Sequence, residues 1–225
     1  MSLKDATILV TNAADGVGLA CAHALAAAGA SIMFSARDDE TVAAAEADLQ
    51  QHGVPVYGMC ADPARSRDIE KLLGETQRVF GGLRGAVAVP ATPRGGTLLE
   101  IDDATFDRIL SAGVRAAHIV CQRSARVLIA AGRGGSLTIV GPAAGPALAG
   151  PAAINGALAA LARQFAVELQ PHAVRANAVI QGGDGRDAAV AALVCFLVDD
   201  EAAPLSGAVI DLQSPTTART AGPAT

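Results

Sequence analysis

A chain of 225 residues carries 22 acidic against 17 basic side chains, a formal charge of −5, which argues against a nucleic-acid partner needing a basic face. Hydrophobic residues make up 51% but aromatics only 3%, so Ala, Val, Leu and Ile must build the core of one α/β domain, or of two small ones at most. No apolar run approaches the roughly 20 residues of a membrane-spanning helix, and the Met1–Asp5 start has neither the basic nor the apolar region of a secretory signal.

Taken in chain order, apolar runs alternate with helical patterns. Ala6–Val10 predicts a buried strand, followed by a glycine-containing turn and a helix over 16–28. A strand over 31–35, an alanine-rich helix over 40–51, a strand over 54–59 and a helix over 67–80 follow. The spacing then predicts a strand over 86–89 and a long helical stretch over 103–131, broken near Gly113. Further strands are expected at 137–140, 174–180 and 208–212, with helices over 152–169 and 186–197 between them. Such alternation means βαβ units with right-handed crossovers, hence a Rossmann-type three-layer α/β/α sandwich with a seven-stranded parallel sheet. Residues 1–213 read as a single domain, and 214–225 (SPTTARTAGPAT) as a flexible tail. The four cysteines (Cys21, Cys60, Cys121, Cys195) are far apart and form no CxxC pair. They read as buried, reduced thiols of a cytoplasmic protein, and no metal site is expected.

The first strand, turn and helix, ILVTNAADGVGLA (8–20), set Gly16 and Gly18 where free N–H groups at a helix N-terminus can meet a pyrophosphate. Here the chain resembles the short-chain dehydrogenase/reductase family, whose loop reads TGxxxGxG. Asn12 stands at the family's first glycine and suits a left-handed turn. Asp15 opposes binding, since a carboxylate beside two phosphates repels them by about 1 to 4 kcal/mol depending on screening. A plainer reading stands beside the functional one: the glycines are kept for packing. The resemblance also assigns Asp62 to an adenine contact, and Arg37 either to the 2′-phosphate of NADP or to a solvated loop charge. The family's NNAG after the fourth strand is here Ala88, Val89, Pro90 and Ala91. Proline removes a backbone donor, so the nicotinamide wall is rebuilt. Asn12, Gly16, Gly18, Arg37 and Asp62 are thus vestigial cofactor positions, and NAD(P) is expected to bind weakly or not at all.

Carbonyl reduction in this family needs a tyrosine activated by a lysine four residues later, a serine that orients the substrate and an asparagine in the preceding long helix. PAAINGALAALARQFAVEL (151–169) resembles the helix beginning YxxxKAALxxLxRxxAxEL, which puts Pro151 at the tyrosine position and Asn155 at the lysine position. GSLTIVGPAAG (135–145) resembles the serine strand and loop, with Pro142 at the serine; FDRILSAGVRAAHIVCQ (106–122) resembles the asparagine helix, with Gly113 in its place. None of the four replacements can transfer a proton, so no catalytic residue is assigned. The single tyrosine, Tyr57, and the two lysines, Lys4 and Lys71, lie elsewhere in the sequence. His118 and His172 are the candidates for a relocated acid–base group, with a packing or surface role as the plainer reading.

VRANAVIQGG (174–183) resembles the family's IRxNxVxPG, and GGDGRD (182–187) then leads almost directly into a helix, so the substrate lid is expected to be shortened, as is the loop at 145–151. The elements through which the family assembles are preserved: helices 115–131 and 152–169, with Ala157, Ala160, Leu161 and Phe165 as close-packing positions, and the C-terminal strand 207–212. The expected function is therefore a non-catalytic subunit of a hetero-oligomeric short-chain dehydrogenase, supporting an active homologue in a heterodimer or heterotetramer. The family's precedent is a heteromeric dehydrogenase of a CoA-linked hydroxyacyl substrate in anaerobic aromatic degradation, in which one of two related subunits is degenerate. The alternatives are an NAD(P)-sensing regulator and an enzyme with relocated chemistry.

Overall fold

A computed structural model of the chain describes residues 2–91, 96–97, 99–143, 149–182 and 185–212. The tail expected over 214–225, most of the shortened loop at 145–151 and two residues of the shortened lid lie outside the described residues. Seven strands, β1 (Thr7–Val10), β2 (Ser31–Ala36), β3 (Val56–Cys60), β4 (Gly85–Ala88), β5 (Gly135–Gly141), β6 (Val174–Ile180) and β7 (Val209–Asp211), form one sheet in the order β3-β2-β1-β4-β5-β6-β7. All six pairings are parallel. The expected sheet is therefore the observed one, with strand ends displaced by a residue or two.

Seven helices connect the strands: α1 (Gly16–Ala27), α2 (Asp39–Leu49), α3 (Ser66–Phe80), α4 (Asp103–Leu110), α5 (Ala116–Ala131), α6 (Ala149–Leu169) and α7 (Asp187–Val198). The sequence fits these placements locally. Asp38 and Asp102 cap α2 and α4 by accepting from the Thr41 and Thr105 backbone N–H groups. Left-handed glycines, Gly81 and Gly132, end α3 and α5. A parallel sheet must be covered on both faces, and two buried clusters do this. One joins Leu72, Ile119 and Leu158 beneath α3, α5 and α6; the other joins Leu25, Leu49 and Val194 beneath α1, α2 and α7. Among the described residues no helix is long and apolar enough to cross a membrane.

The break expected near Gly113 takes another form. Residues Ser111–Arg115 make a π-type stretch that carries α4 into α5 without interruption. One extra residue is accommodated as a widened turn, a feature common at functional positions of helices. Gly113 sits in this widened turn because its missing side chain leaves room for a neighbour on α6.

Candidate functional site

The strand order reverses between β1 and β4, and in open α/β sheets ligands enter the crevice at that switch point, outside the carboxyl ends of the strands. Two adjoining cavities occupy it. One of about 340 Å³ is lined by Asn12, Asp15, Gly18, Arg37 and Pro90 among others. The other, of about 300 Å³, is lined by Asn12, Asp62, Arg108 and Ser111 among others. The fold thus brings the phosphate-loop, Arg37 and Asp62 positions around one crevice.

The glycine turn is held mainly by its own packing. Asn12 adopts the left-handed conformation expected of it, with φ of 50°, and a Cβ on Gly18 would collide with the Asn12 carbonyl. The Asn12 side chain has a further role that turn propensity did not reveal. Its amide donates to the Val89 carbonyl at 2.7 Å, across the switch point from β1 to the end of β4. Beside it, the buried Thr11 hydroxyl accepts from the Val89 N–H at 3.0 Å and donates to the Val89 carbonyl at 3.3 Å. The Asn12 N–H donates in turn to the Ser35 hydroxyl at 3.1 Å. Both edges of the crevice are thereby tied together ahead of any ligand.

The charged members of the crevice are occupied locally or exposed. Asp15 starts α1, makes no capping hydrogen bond with its side chain, and is an exposed residue on the lining of the cavity. Arg37 is 77% exposed and donates to Asp38 at 3.0 Å; two Thr41 hydrogen bonds, and less strongly that guanidinium, hold the Asp38 carboxyl below its usual range. Asp62 accepts from the Ala64 N–H at 2.9 Å and pairs with Arg65 at 3.2 Å, an arrangement that shapes its turn.

At the relay positions the side chains meet as hydrocarbon. A Cβ built on Gly113 would lie 2.5 Å from Ile154 Cδ1, and one on Gly150 would lie 2.9 Å from Ile109 Cδ1 and Cγ2. Each helix thus carries one isoleucine and one glycine four residues apart, on one face, and the two pairs interlock. Ile109 and Ile154 are fully buried. Pro151 is buried at the start of the interlock. Asn155 turns its amide to the Pro142 carbonyl at 3.1 Å, while its Oδ1 is buried with no hydrogen-bond partner among the described residues. That oxygen is 2.5 Å from where a Cβ of Gly141 would be, so β5 closes on it. The sequence showed the four replacements; the interlocking partners Ile109 and Ile154 were missed, and only their i, i+4 spacing to the two glycines could have flagged them.

The other candidate groups are distant. His118 stacks on Phe165 with centroids 6.0 Å apart, and Phe165 lies eleven residues beyond Ile154, about 16 Å of helix rise. Phe165 itself is 9% exposed, so it covers the core instead of presenting a close-packing position to a partner. His172 is exposed in a short turn before β6, at the opposite end of the sheet. Tyr57 lies on β3 and interacts with Arg78, and Lys71 is exposed on α3.

A family model described as Enoyl-(Acyl carrier protein) reductase matches residues 13–183. Dehydrogenase/reductase SDR family member 4 of Rattus norvegicus is 32% identical over 185 residues, covering 80% of this chain and 66% of the rat protein. The chain thus spans just under two thirds of that relative's length. Among solved structures, a short-chain type dehydrogenase/reductase from Mycobacterium marinum superposes with a TM-score of 0.90 at 22% identity, covering 96% of this chain and 97% of its own. A short chain dehydrogenase from Mycobacterium smegmatis gives 0.86 at 24% identity, covering 94% and 93%. Likeness at these identities shows the fold, and the family-model match extends it to descent: the chain belongs to the short-chain dehydrogenase/reductase family, whose members are oxidoreductases.

Proposed function

We propose that the chain is a non-catalytic subunit of a short-chain dehydrogenase assembly, in which a homologue with an intact relay performs the chemistry. The observation that carries this reading is the interlock of Ile109 and Ile154 with Gly150 and Gly113, which fills the relay region with hydrocarbon. General acid catalysis needs an ionisable group within hydrogen-bond reach of the substrate oxygen. Pro142, Pro151 and Gly113 have none, and the Asn155 amide is neutral and already engaged by Pro142.

The same reading extends to the cofactor. NAD(P) does not fit the reacting half of the crevice: Pro90 has no N–H to offer, and the Asp15 carboxylate stands where phosphate charge would collect. No hydride step is therefore assigned to this chain. Support for a partner comes from the outer face of α6, where Ala152, Ala153, Gly156, Ala160 and Val167 are exposed, Val167 by 70%. Small residues on such a face let a second helix approach closely. At the sheet margin, β7 pairs only with β6 among the described residues, as an edge strand does before a further strand is added. The proposed partner is an active homologue docking on α5, α6 and β7 of an oxidoreductase complex acting on a hydroxyacyl-type substrate, CoA-linked in the family precedent. Isolation of the native protein, with its mass and co-purifying chains determined, tests the proposal. A stoichiometric homologue carrying Ser, Tyr and Lys is the expected result. A homo-oligomer without such a homologue, or hydride transfer by the purified chain alone, would refute it.

A further inference from the structure

Away from the switch point, at the opposite end of the sheet, α3 and α5 diverge around a groove of about 750 Å³, within the roughly 300–1,000 Å³ range of small-molecule sites. Its floor is apolar, with Leu73, Leu83 and Val127; Leu73 and Leu83 are nearly closed to solvent. Its rim is basic. Arg123, Arg126 and Arg133 all line it, and Glu70 is the one acidic side chain that does so. Glu70 is already committed to Arg123, whose Nε donates to it at 2.8 Å. Arg126 and Arg133 have no carboxylate partner among the described residues, in a chain whose overall charge is −5.

The groove also has a glycine in its wall that the fold does not require. Gly74 sits inside α3, where glycine is less favourable than alanine. No atom of the described residues lies within 4 Å of where its Cβ would be, so no close approach among them explains it. Its effect is to keep the groove open against the apolar floor. An open apolar trough under two unpaired guanidinium groups suits one chemistry: an anionic head with an aliphatic stem. Arginine grips carboxylate or phosphate oxygens through paired, charge-assisted hydrogen bonds, while the stem leaves water along Leu73 and Val127.

We infer that the α3–α5 groove is a binding site for a small amphipathic anion, a carboxylate or phosphate on an unbranched aliphatic stem. Arg126 and Arg133 hold the head, Arg123 is positioned by Glu70, and the space at Gly74 receives the stem. The groove shares no residue with the crevice at the switch point, but Arg123, Arg126 and Val127 of its wall lie on α5, a helix on which the proposed partner docks, so the site is tested on the chain purified without a partner.

Isothermal titration of the intact protein with n-octanoate, n-octyl phosphate and octan-1-ol tests it. At least one anion is expected to bind saturably, and octan-1-ol about tenfold more weakly or worse, as loss of charge-assisted hydrogen bonds implies. The tighter of the two anions identifies the head. The double variant Arg126→Gln/Arg133→Gln should weaken anion binding about tenfold or more, by the same loss. Gly74→Phe, whose Cβ enters open space, should abolish binding while its thermal midpoint stays at or above that of the parent. No saturable heat from either anion, equal binding of octan-1-ol, or unchanged anion binding in either variant would overturn the inference.

Discussion

The interlock between α4, the π-type stretch and α6 predicts a sign reversal at Gly113. In an ordinary helix interior, Gly→Ala stabilises by about 0.4–1 kcal/mol through helix propensity and unfolded-state entropy. Here the new methyl would lie 2.5, 2.7 and 3.1 Å from Ile154 Cδ1, Cγ1 and Cγ2. All three are atoms of a fully buried side chain on a long helix, so the clash cannot be relieved by rotation into solvent. Overpacking of this kind costs about 1–3 kcal/mol, and subtracting the propensity gain leaves Gly113→Ala destabilising by about 0.5–2 kcal/mol. Ile154→Ala alone should cost about 2–5 kcal/mol. The double variant should be more stable than the sum of the two singles by about 1–2 kcal/mol, because each change relieves the other. Urea unfolding of the four proteins measures the cycle. For a domain of this size each kcal/mol corresponds to about 2–4 °C in the thermal midpoint. A Gly113→Ala variant more stable than the parent, or strictly additive effects, would show that the two helices do not interlock at this point.

The remaining predictions concern the thiols and two buried hydrogen-bond clusters. Burial pushes the Cys121 thiol up to about 12, and burial with smaller contributions from Asp187 and Cys195 does the same for Cys21. Below pH 9 both thiols are protonated in the folded and unfolded states, and the stability is intact. Between pH 9 and 12 the unfolded chain loses protons that the folded one keeps, so stability should fall by about 1.4 kcal/mol per pH unit per thiol; denaturant midpoints measured across that range would stay flat if the reasoning were wrong. Cys60 is exposed, against the burial expected of all four cysteines, because it ends β3 at the edge of the sheet, so a thiol reagent at pH 8 should modify one sulfur rapidly and none in Cys60→Ser. Arg175 donates to the carbonyls of Leu197, Val198 and Asp199 at the end of α7. Arg175→Met should cost about 2 kcal/mol in chemical denaturation by leaving them unpaired. Thr11→Val removes the acceptor of the Val89 N–H and should cost about 1–3 kcal/mol by the same assay.

The sheet could be read from the sequence because strands buried on both faces are continuous apolar runs, and the helices between them have the length of crossover connections. Val174–Ile180 and the helix ending at Leu169 were legible on those grounds. The relay replacements were legible because flanking residues such as Arg163 and Glu168 fix the register of the family motif. What filled the vacated space was not, since Ile154 meets Gly113 only once a sheet brings two helices together. The expected break at Gly113 reflected the low helix propensity of glycine; tertiary contact with α6 overrode it and produced a widened turn. Asn12 was legible as a left-handed residue, while its amide bond to Val89 depends on the neighbouring position of β1 and β4.

That amide bond bears on how the protein answers its surroundings. In a cofactor-dependent fold, a ligand that joins the two lips of the crevice stabilises the native state by mass action, so the melting temperature tracks ligand supply. Here Asn12 and Thr11 of the chain itself join the lips through Val89. If NAD(P) binds weakly or not at all, as proposed, the melting temperature stays the same with and without added dinucleotide, because the crevice holds its shape through these bonds alone.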